Sequence, residues 1–211
     1  MGVRASEIEQ GRLHAPTRST AQRSAWRSPA WRQVRVLVVT VLAVAVPAVA
    51  SASNFGSGGG IFLAEDSTPG IARLSLTNGF VNAVTYVATS VYDPTDLNSS
   101  VQANQTNCAD ALGHDVCAFD DAYGVTGWLG IMDCVGTPFG ADPTMRCTRN
   151  RVRFNLSYVA TVNSPHSVAC HEMGHAVGLR HTALTSSCLS NVGAFPPVWN
   201  AHDVAHVNAN Y

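Results

Sequence analysis

Five residues in one short stretch have the types and spacing that metal-dependent hydrolysis needs: His171, Glu172, His175, Gly178 and His181. If the chain is helical through the first two histidines, these lie one turn apart on the same face and can hold Zn²⁺ together. Glu172 then lies beside that face, which suits a carboxylate that acts on water rather than on the metal. Gly178 can adopt a positive φ and turn the chain, so that His181 returns as a third ligand. Three protein ligands leave the fourth zinc position open, as in catalytic sites.

These positions follow the pattern HExxHxxGxxH, and in this stretch of eleven residues the sequence resembles the metzincin metallopeptidases. The general layout of residues 71–211 resembles a small secreted bacterial matrixin-like member. The resemblance implies a zinc metalloendopeptidase with His171, His175 and His181 as zinc ligands and Glu172 as the general base. One alternative is a secreted zinc-binding domain with little or no peptidase activity. A zinc hydrolase that acts on a non-peptide amide is another.

The sequence departs from the metzincin pattern after the third histidine. Metzincins carry a methionine in a tight turn there, whereas this chain has Cys188 followed by Leu189 and no methionine beyond His181. Swaps between leucine and methionine cost under about 1.5 kcal/mol when buried, so zinc binding is still expected. Some metzincins add a later tyrosine. The one available here is Tyr211, at the last position, and it is given no role. No propeptide with a cysteine switch is visible between residues 53 and 71.

The distribution of charge disfavours nucleic acid as a partner. The sequence has no lysine, and seven of its thirteen arginines lie within the first 35 residues. From residue 53 onward six arginines face twelve acidic residues, a formal charge of −6. A general nucleic-acid binder needs a basic face, so a protein or peptide substrate is the expected partner.

The first part of the chain predicts export. Residues 34–50 are apolar, but they are fewer than the about 20 residues that a membrane span needs. Small residues at Ala50 and Ala52 fit a signal-peptide cleavage site. We therefore predict an Arg-rich leader with a signal peptide over 1–52, a flexible Gly/Ser-rich segment over 53–70 and a metallopeptidase domain over 71–211. A secreted monomer without stable membrane association is expected. A membrane anchor through residues 34–50 is the alternative, and the 35-residue preamble also fits a start site downstream of Met1.

Six cysteines in an exported chain indicate disulfide bonds. Fifteen pairings are allowed for six cysteines, and the sequence does not select one. Our working expectation is the sequential set, 108–117, 134–147 and 170–188. A cysteine-rich metal site is less favoured because no CxxC spacing is present.

Apolar periodicity and turn residues predict an α+β fold. Strands are predicted over 71–76, 115–119 and 151–155, and residues 124–131 are predicted to form another strand or a glycine-punctuated bulge. Helices are predicted over 78–90, 168–177 and 200–209. Asn78 is the predicted N-cap of the first helix, and Ser164 and Pro165 form a predicted start of the zinc helix. The expected architecture is a metzincin-like zincin domain, in which a mixed twisted sheet packs on the active-site helix and a small C-terminal subdomain closes a cleft.

Two further groups of polar residues were weighed as metal sites. His202 and His206 lie four apart with Asp203 between them, and the favoured interpretation is the solvated face of a terminal helix. Calcium binding is an open prediction for the aspartates, whose spacing matches no EF-hand loop: Asp93, Asp96, Asp120, Asp121 and Asp142.

The remaining candidates have ordinary interpretations. His114 and Asp115 are expected in a loop before a strand, with a second, structural zinc site as the alternative, and His166 is expected on the surface. Four arginines form a basic cluster: Arg146, Arg149, Arg151 and Arg153. Arg151 and Arg153 share one face of a predicted strand. The favoured interpretation is a solvated outer face, and a substrate-facing role is the alternative. Three asparagines lie in N-x-[ST] sequons, and no glycan is expected if the composition reflects a GC-rich bacterial genome: Asn98, Asn104 and Asn155.

Overall fold

The computed structural model describes residues 54–103, 105–109, 112–158 and 163–211. The predicted leader, the alternative anchor over 34–50 and the sequon residue Asn104 lie outside the described residues. The regular elements, in chain order, are β1 (Leu63–Ala64), β2 (Gly70–Arg73), α1 (Asn78–Tyr86) with a π-helical continuation (Val87–Val91), β3 (Ser100–Gln102), β4 (Val116–Asp121), β5 (Gly130–Cys134), β6 (Pro138–Phe139), β7 (Arg146–Cys147), β8 (Asn150–Asn155) with a 3₁₀ turn (Leu156–Tyr158), α2 (Pro165–His175) and α3 (Ala201–Asn208).

A five-stranded sheet forms the framework, in the order β3-β2-β4-β8-β5. The first four strands are parallel to their neighbours, and β5 pairs antiparallel with β8. β5 is therefore an edge strand with one side of its backbone unpaired in the sheet. The short strands β1, β7 and β6 form a second, three-stranded sheet. The architecture is a mixed α/β fold with few helices.

The helix α2 packs against α1 and against strands β5 and β8. The side chains of Phe80 in α1 and Phe154 in β8 stack with ring centroids 4.2 Å apart. The hydroxyl of buried Tyr92 donates to the Met173 carbonyl oxygen at 2.9 Å and ties the end of the π-helical turn to α2. These contacts hold α2 under the edge strand, where its polar residues line a cleft.

Local signals at the start of α2 act as predicted. The Ser164 side chain accepts a hydrogen bond from the Ser167 backbone N–H at 3.2 Å, and Pro165 is the first helical residue. Both devices satisfy or remove backbone donors that an N-terminus leaves without helical partners. α3 likewise begins at a predicted place, with Asn200 as its N-cap.

One prediction about local structure is wrong, and a second holds only in part. Thr77, not Asn78, is the N-cap of α1. Its hydroxyl donates to the Asp120 carboxylate at 2.5 Å instead of capping the helix, and Asn78 is already helical. Of residues 124–131, for which a strand or a glycine-punctuated bulge was expected, only the part from Gly130 is a strand, because Gly124 and Gly127 take φ values of 77° and 82° that a regular strand does not accommodate.

Three disulfides follow the sequential pairing: Cys108–Cys117, Cys134–Cys147 and Cys170–Cys188. The last one joins α2 to the segment after His181. Part of the stretch predicted to be flexible is packed, since Phe55, Leu63 and Ala64 are buried. In the described part of the chain, no helix has the length and apolar character needed to cross a membrane.

Candidate active site

Three histidines converge at the C-terminal half of α2. His171 and His175 come from the helix, and His181 comes from the loop that follows it. The His181 Nε2 atom lies 3.0 Å from Nε2 of His171 and 3.2 Å from Nε2 of His175. Among the described residues, these three form the group of His, Cys, Asp or Glu side chains that could hold a metal ion, with ligand atoms within 4.8 Å of one another. We call this group the triad.

The turn that returns His181 depends on a glycine. Gly178 has a φ of 90°, which an L side chain rarely adopts. A Cβ atom there would also lie 2.8 Å from the Leu63 side chain. The backbone N–H of Arg180 donates to the Asn54 carbonyl oxygen, which ties the returning loop to the first described residues. The sequence-based interpretation of Gly178 is therefore confirmed in its geometry.

Two backbone carbonyls orient the helical rings. Nδ1 of His171 lies 2.6 Å from the Cys188 carbonyl oxygen, and Nδ1 of His175 lies 2.7 Å from that of Leu179. A carbonyl oxygen can only accept, so each Nδ1 carries the proton and donates it. Each Nε2 then has a free lone pair directed at the centre of the triad. This is the outer-shell arrangement that fixes the tautomer of metal-binding histidines.

Burial keeps these rings neutral. It lowers the pKa of His171 to about 4, with the bond to the Cys188 carbonyl opposing the shift. Burial and the neighbouring His171 lower the pKa of His175 to about 3, and burial lowers the pKa of His181. Neutral imidazole is the form that binds metal. The donor set, three neutral nitrogens with two fixed tautomers, fits Zn²⁺ with an open fourth position.

Glu172 is buried beside the triad and 6% exposed. Burial raises the pKa of its carboxyl to about 8. A cation held by the triad would favour the charged form and act against that shift. Its side chain lies directly under the edge strand, because a Cβ atom on Gly130 would be 2.4 Å from Glu172 Cγ and 2.8 Å from Oε1.

Two cavities open on either side of these groups, and both are lined by His171, Glu172 and His181. One has a volume of about 440 Å³ and runs along β5 from Gly130 to Asp133. The other has a volume of about 410 Å³, and apolar side chains contribute to its wall: Trp128, Leu129, Val168 and Phe195. The two together form a cleft with the triad in the middle and an unpaired strand edge above it.

Several contributors were not identified from the sequence. Phe195 packs on the His171 ring with centroids 5.0 Å apart. The carbonyls of Cys188 and Leu179 carry no side-chain signal, so no sequence pattern could have found them. Gly130 did have a signal, since a glycine at the start of a strand often marks close approach of another group.

Leu189, at the position where a methionine was expected, is fully buried against α2. Gly174 lies between the two helical histidines in the sequence. A Cβ atom on Gly174 would be 2.9 Å from Cδ2 of Leu189. Tyr211 lies elsewhere, where its hydroxyl accepts from the Ala64 N–H at 2.8 Å.

The other candidate residues are not gathered into a comparable site. Arg151 and Arg153 both pair with Asp133, so part of the basic cluster is neutralised within the sheet. Within the described ranges the five aspartates are not part of a three-membered ligand group, and calcium stays a prediction.

The two isolated histidine candidates have structural partners. His114 is fully buried, and one of its ring nitrogens lies 2.7 Å from the Gln102 side-chain oxygen. His166 packs edge-on against Tyr86.

The side chains of His202 and His206 on α3 contact each other, which the predicted solvated helix face does not require. The Nε2 atoms of His202 and His206 lie 3.1 Å apart. Burial, and after it the neighbouring His202, lowers the pKa of His206.

Comparisons with known proteins give little beyond the site itself. No family model matches the chain, and no curated protein does. Among solved structures, the chain is similar to archaemetzincin from Archaeoglobus fulgidus in complex with malonate, at 15% identity and a TM-score of 0.38. The match covers 66% of this chain and 99% of that one.

Proposed function

We propose that this chain is a secreted zinc-dependent endopeptidase of the metzincin type, with a matrixin-like layout. The observation that carries the proposal is the convergence of three neutral imidazoles beside a buried carboxylate, Glu172, in an open cleft. A purely structural zinc site has four protein ligands and no need of a neighbouring carboxylate. Here three protein ligands would hold the ion, and the cleft lined by His171, Glu172 and His181 would leave room for water or substrate.

His171, His175 and His181 would hold the zinc ion. Zinc in such a site supplies Lewis-acid chemistry, because it polarises a carbonyl and lowers the pKa of water from 15.7 to about 7. Glu172 takes a proton from the attacking water and passes it to the leaving amine. Burial raises the pKa of the Glu172 carboxyl and a cation in the triad would lower it, and this balance suits a group that accepts a proton in one step and returns it in the next.

The substrate would be an extended peptide. The free backbone edge of β5 can pair with it as an added strand, which gives affinity through the main chain. The apolar wall formed by Trp128, Leu129 and Phe195 favours a large apolar side chain on one side of the scissile bond. The chain would act as a monomer, and residues 1–52 would serve as leader and signal peptide before a short segment over 53–70 and a catalytic domain over 71–211.

Cleavage of a peptide library, read by mass spectrometry, tests the proposal. Zinc-loaded protein should generate new termini, and Glu172→Ala should reduce their rate by about 10²–10⁴-fold with zinc still bound. Glu65→Ala, which removes an exposed glutamate, is the matched control and should cleave normally. Turnover retained in Glu172→Ala would overthrow the assignment of the base. Absence of products from the zinc-loaded wild type would favour the non-catalytic zinc-binding domain instead.

A further inference from the structure

The helix α3 presents a second pair of histidines that the proposed reaction does not use. His202 and His206 lie one turn apart, with ring centroids 4.4 Å apart and ring planes at 74°. Their Nε2 atoms approach to 3.1 Å. Both side chains are partly exposed, so a small ion can reach them from solvent.

The separation of these nitrogens suits a shared metal ion. Two nitrogens 3.1 Å apart, each about 2.0–2.1 Å from a metal, subtend an angle of about 95–100° at it. That angle lies between tetragonal and tetrahedral coordination, and both are common for first-row divalent ions. In the triad, the Nε2 atom of His181 lies 3.0 and 3.2 Å from those of His171 and His175, so the separation in the α3 pair falls in the range found between rings of the triad.

Asp203, the acid between the two histidines, makes hydrogen bonds to other parts of the chain. Asp203 is fully buried and accepts from the Asn54 side-chain amide at 2.7 Å and from the Ser187 hydroxyl. It also accepts from the Asn200 backbone N–H as part of a capping box. The described residues bring no third His, Cys, Asp or Glu to the pair. The outer face of α3 therefore offers two imidazoles, and water would complete the coordination of an ion held there.

A second aromatic ring packs against His206. The His206 ring stacks on Phe55 with centroids 5.9 Å apart and planes at 15°. Phe55 belongs to a strap, residues 54–57, that pairs with the loop leading to His181, and the Gly56 N–H donates to the Gly178 carbonyl at 2.9 Å. A ring restrained in this way loses less freedom when it binds an ion.

We propose that His202 and His206 bind a second divalent transition-metal ion of the zinc or copper(II) class, separate from the triad. The ion would fix the last turn of α3 against the strap through the ring of His206. The site would be weaker than the triad because it has two protein ligands instead of three.

Metal content after equilibrium dialysis against zinc tests this site. Wild type should hold one more ion per chain than His202→Ala or His206→Ala. His166→Ala, which removes one partly exposed imidazole from another helix, is the matched control and should match the wild type. The readout is a difference of one ion, so it does not depend on whether the triad is filled or the protein is active. Equal metal content in wild type and both α3 variants would overturn the proposal, because it would mean that the two rings only contact each other.

Copper(II) spectroscopy gives an independent measurement. One equivalent of copper(II), added to protein that holds one equivalent of zinc in the tighter triad, should show an electron paramagnetic resonance spectrum with splitting from two nitrogens. The splitting should be lost in His206→Ala, whose fold is checked by circular dichroism. The same spectrum from wild type and variant would place the copper elsewhere and overturn the site.

Discussion

Two stretches of this chain share one arrangement of residues and differ in what surrounds it. Residues 171–175 read His-Glu-Met-Gly-His, and residues 202–206 read His-Asp-Val-Ala-His. In both, a helix places two imidazoles one turn apart with an acid after the first. The spacing alone therefore places two imidazole rings side by side twice, with centroids 4.7 and 4.4 Å apart, and it does not distinguish the proposed catalytic centre from the proposed second metal site.

The two acids make the first difference. Asp203 is turned into the protein and accepts hydrogen bonds from three donors, so it serves the helix start and the packing of the strap. Glu172 is also buried, with 6% of its surface exposed, yet it lines both cavities of the cleft. A carboxylate can act as a base only where a substrate proton can reach it.

Tertiary structure makes the second difference. The rings of His171 and His175 donate to carbonyls that follow α2 in the chain, and a third ring arrives from the same segment. The α3 pair has its own helix and the Phe55 ring. A helix therefore supplies the spacing of two imidazoles, whereas the loop after α2 fixes their tautomers and brings the third ring.

Removing His181, the proposed third ligand, should have the largest effect, and it would make the α2 pair resemble the α3 pair. His181→Ala leaves His171 and His175 as a helical pair like the one on α3. Loss of a ligand should weaken zinc binding by more than the about 10–100-fold that loss of an outer-shell partner costs. Competition with a chromophoric chelator measures the affinity, and His166→Ala should leave it unchanged. Wild-type affinity in His181→Ala would show that the loop histidine is not a ligand.

Displacing the base while the ligands stay in place should have a smaller effect. In Gly130→Ala the added methyl would lie 2.4 Å from Glu172 Cγ, so the carboxylate must move. A shift of about 1 Å in a catalytic group can cost about 10²-fold in rate, and we expect kcat/KM to fall by about that factor with zinc affinity retained. Gly79→Ala is the matched control, because its added methyl would meet its nearest neighbour at an ordinary 3.8 Å. Equal activity of the two variants would mean that Glu172 tolerates displacement or takes no part.

The features that could be predicted from the sequence are those that depend on nearby residues. The cap at Ser164, the proline at 165, the turn at Gly178 and the start of α3 each follow from one side chain and its neighbours. The triad was predictable for the same reason, since ten residues of chain separate its first and last members.

The features that could not be predicted depend on chain segments that are far apart in sequence. The strap reaches the His181 loop through Asn54 and Arg180, which are 126 residues apart. The close contact of Gly130 with Glu172 depends on the register in which β5 pairs with β8. The alternation of polar and apolar residues does not determine that register for a strand that begins at a glycine. Thr77 was missed as a cap because its distant partner, Asp120, determines what its hydroxyl does.

The smallest expected effect concerns the residue that departs from the metzincin pattern. Leu189 supports the triad from below by packing at Gly174, but the bonds that orient the rings come from backbone carbonyls, which a side-chain change leaves in place. Leu189→Met should therefore change the free energy of unfolding by less than about 1.5 kcal/mol and leave zinc affinity within a few-fold. Chemical denaturation and chelator competition measure both, with the exposed Leu184→Met as control. A gain in kcat/KM above about tenfold, 1.4 kcal/mol in barrier, would show that the side chain beneath the histidines tunes the reaction and that leucine weakens it.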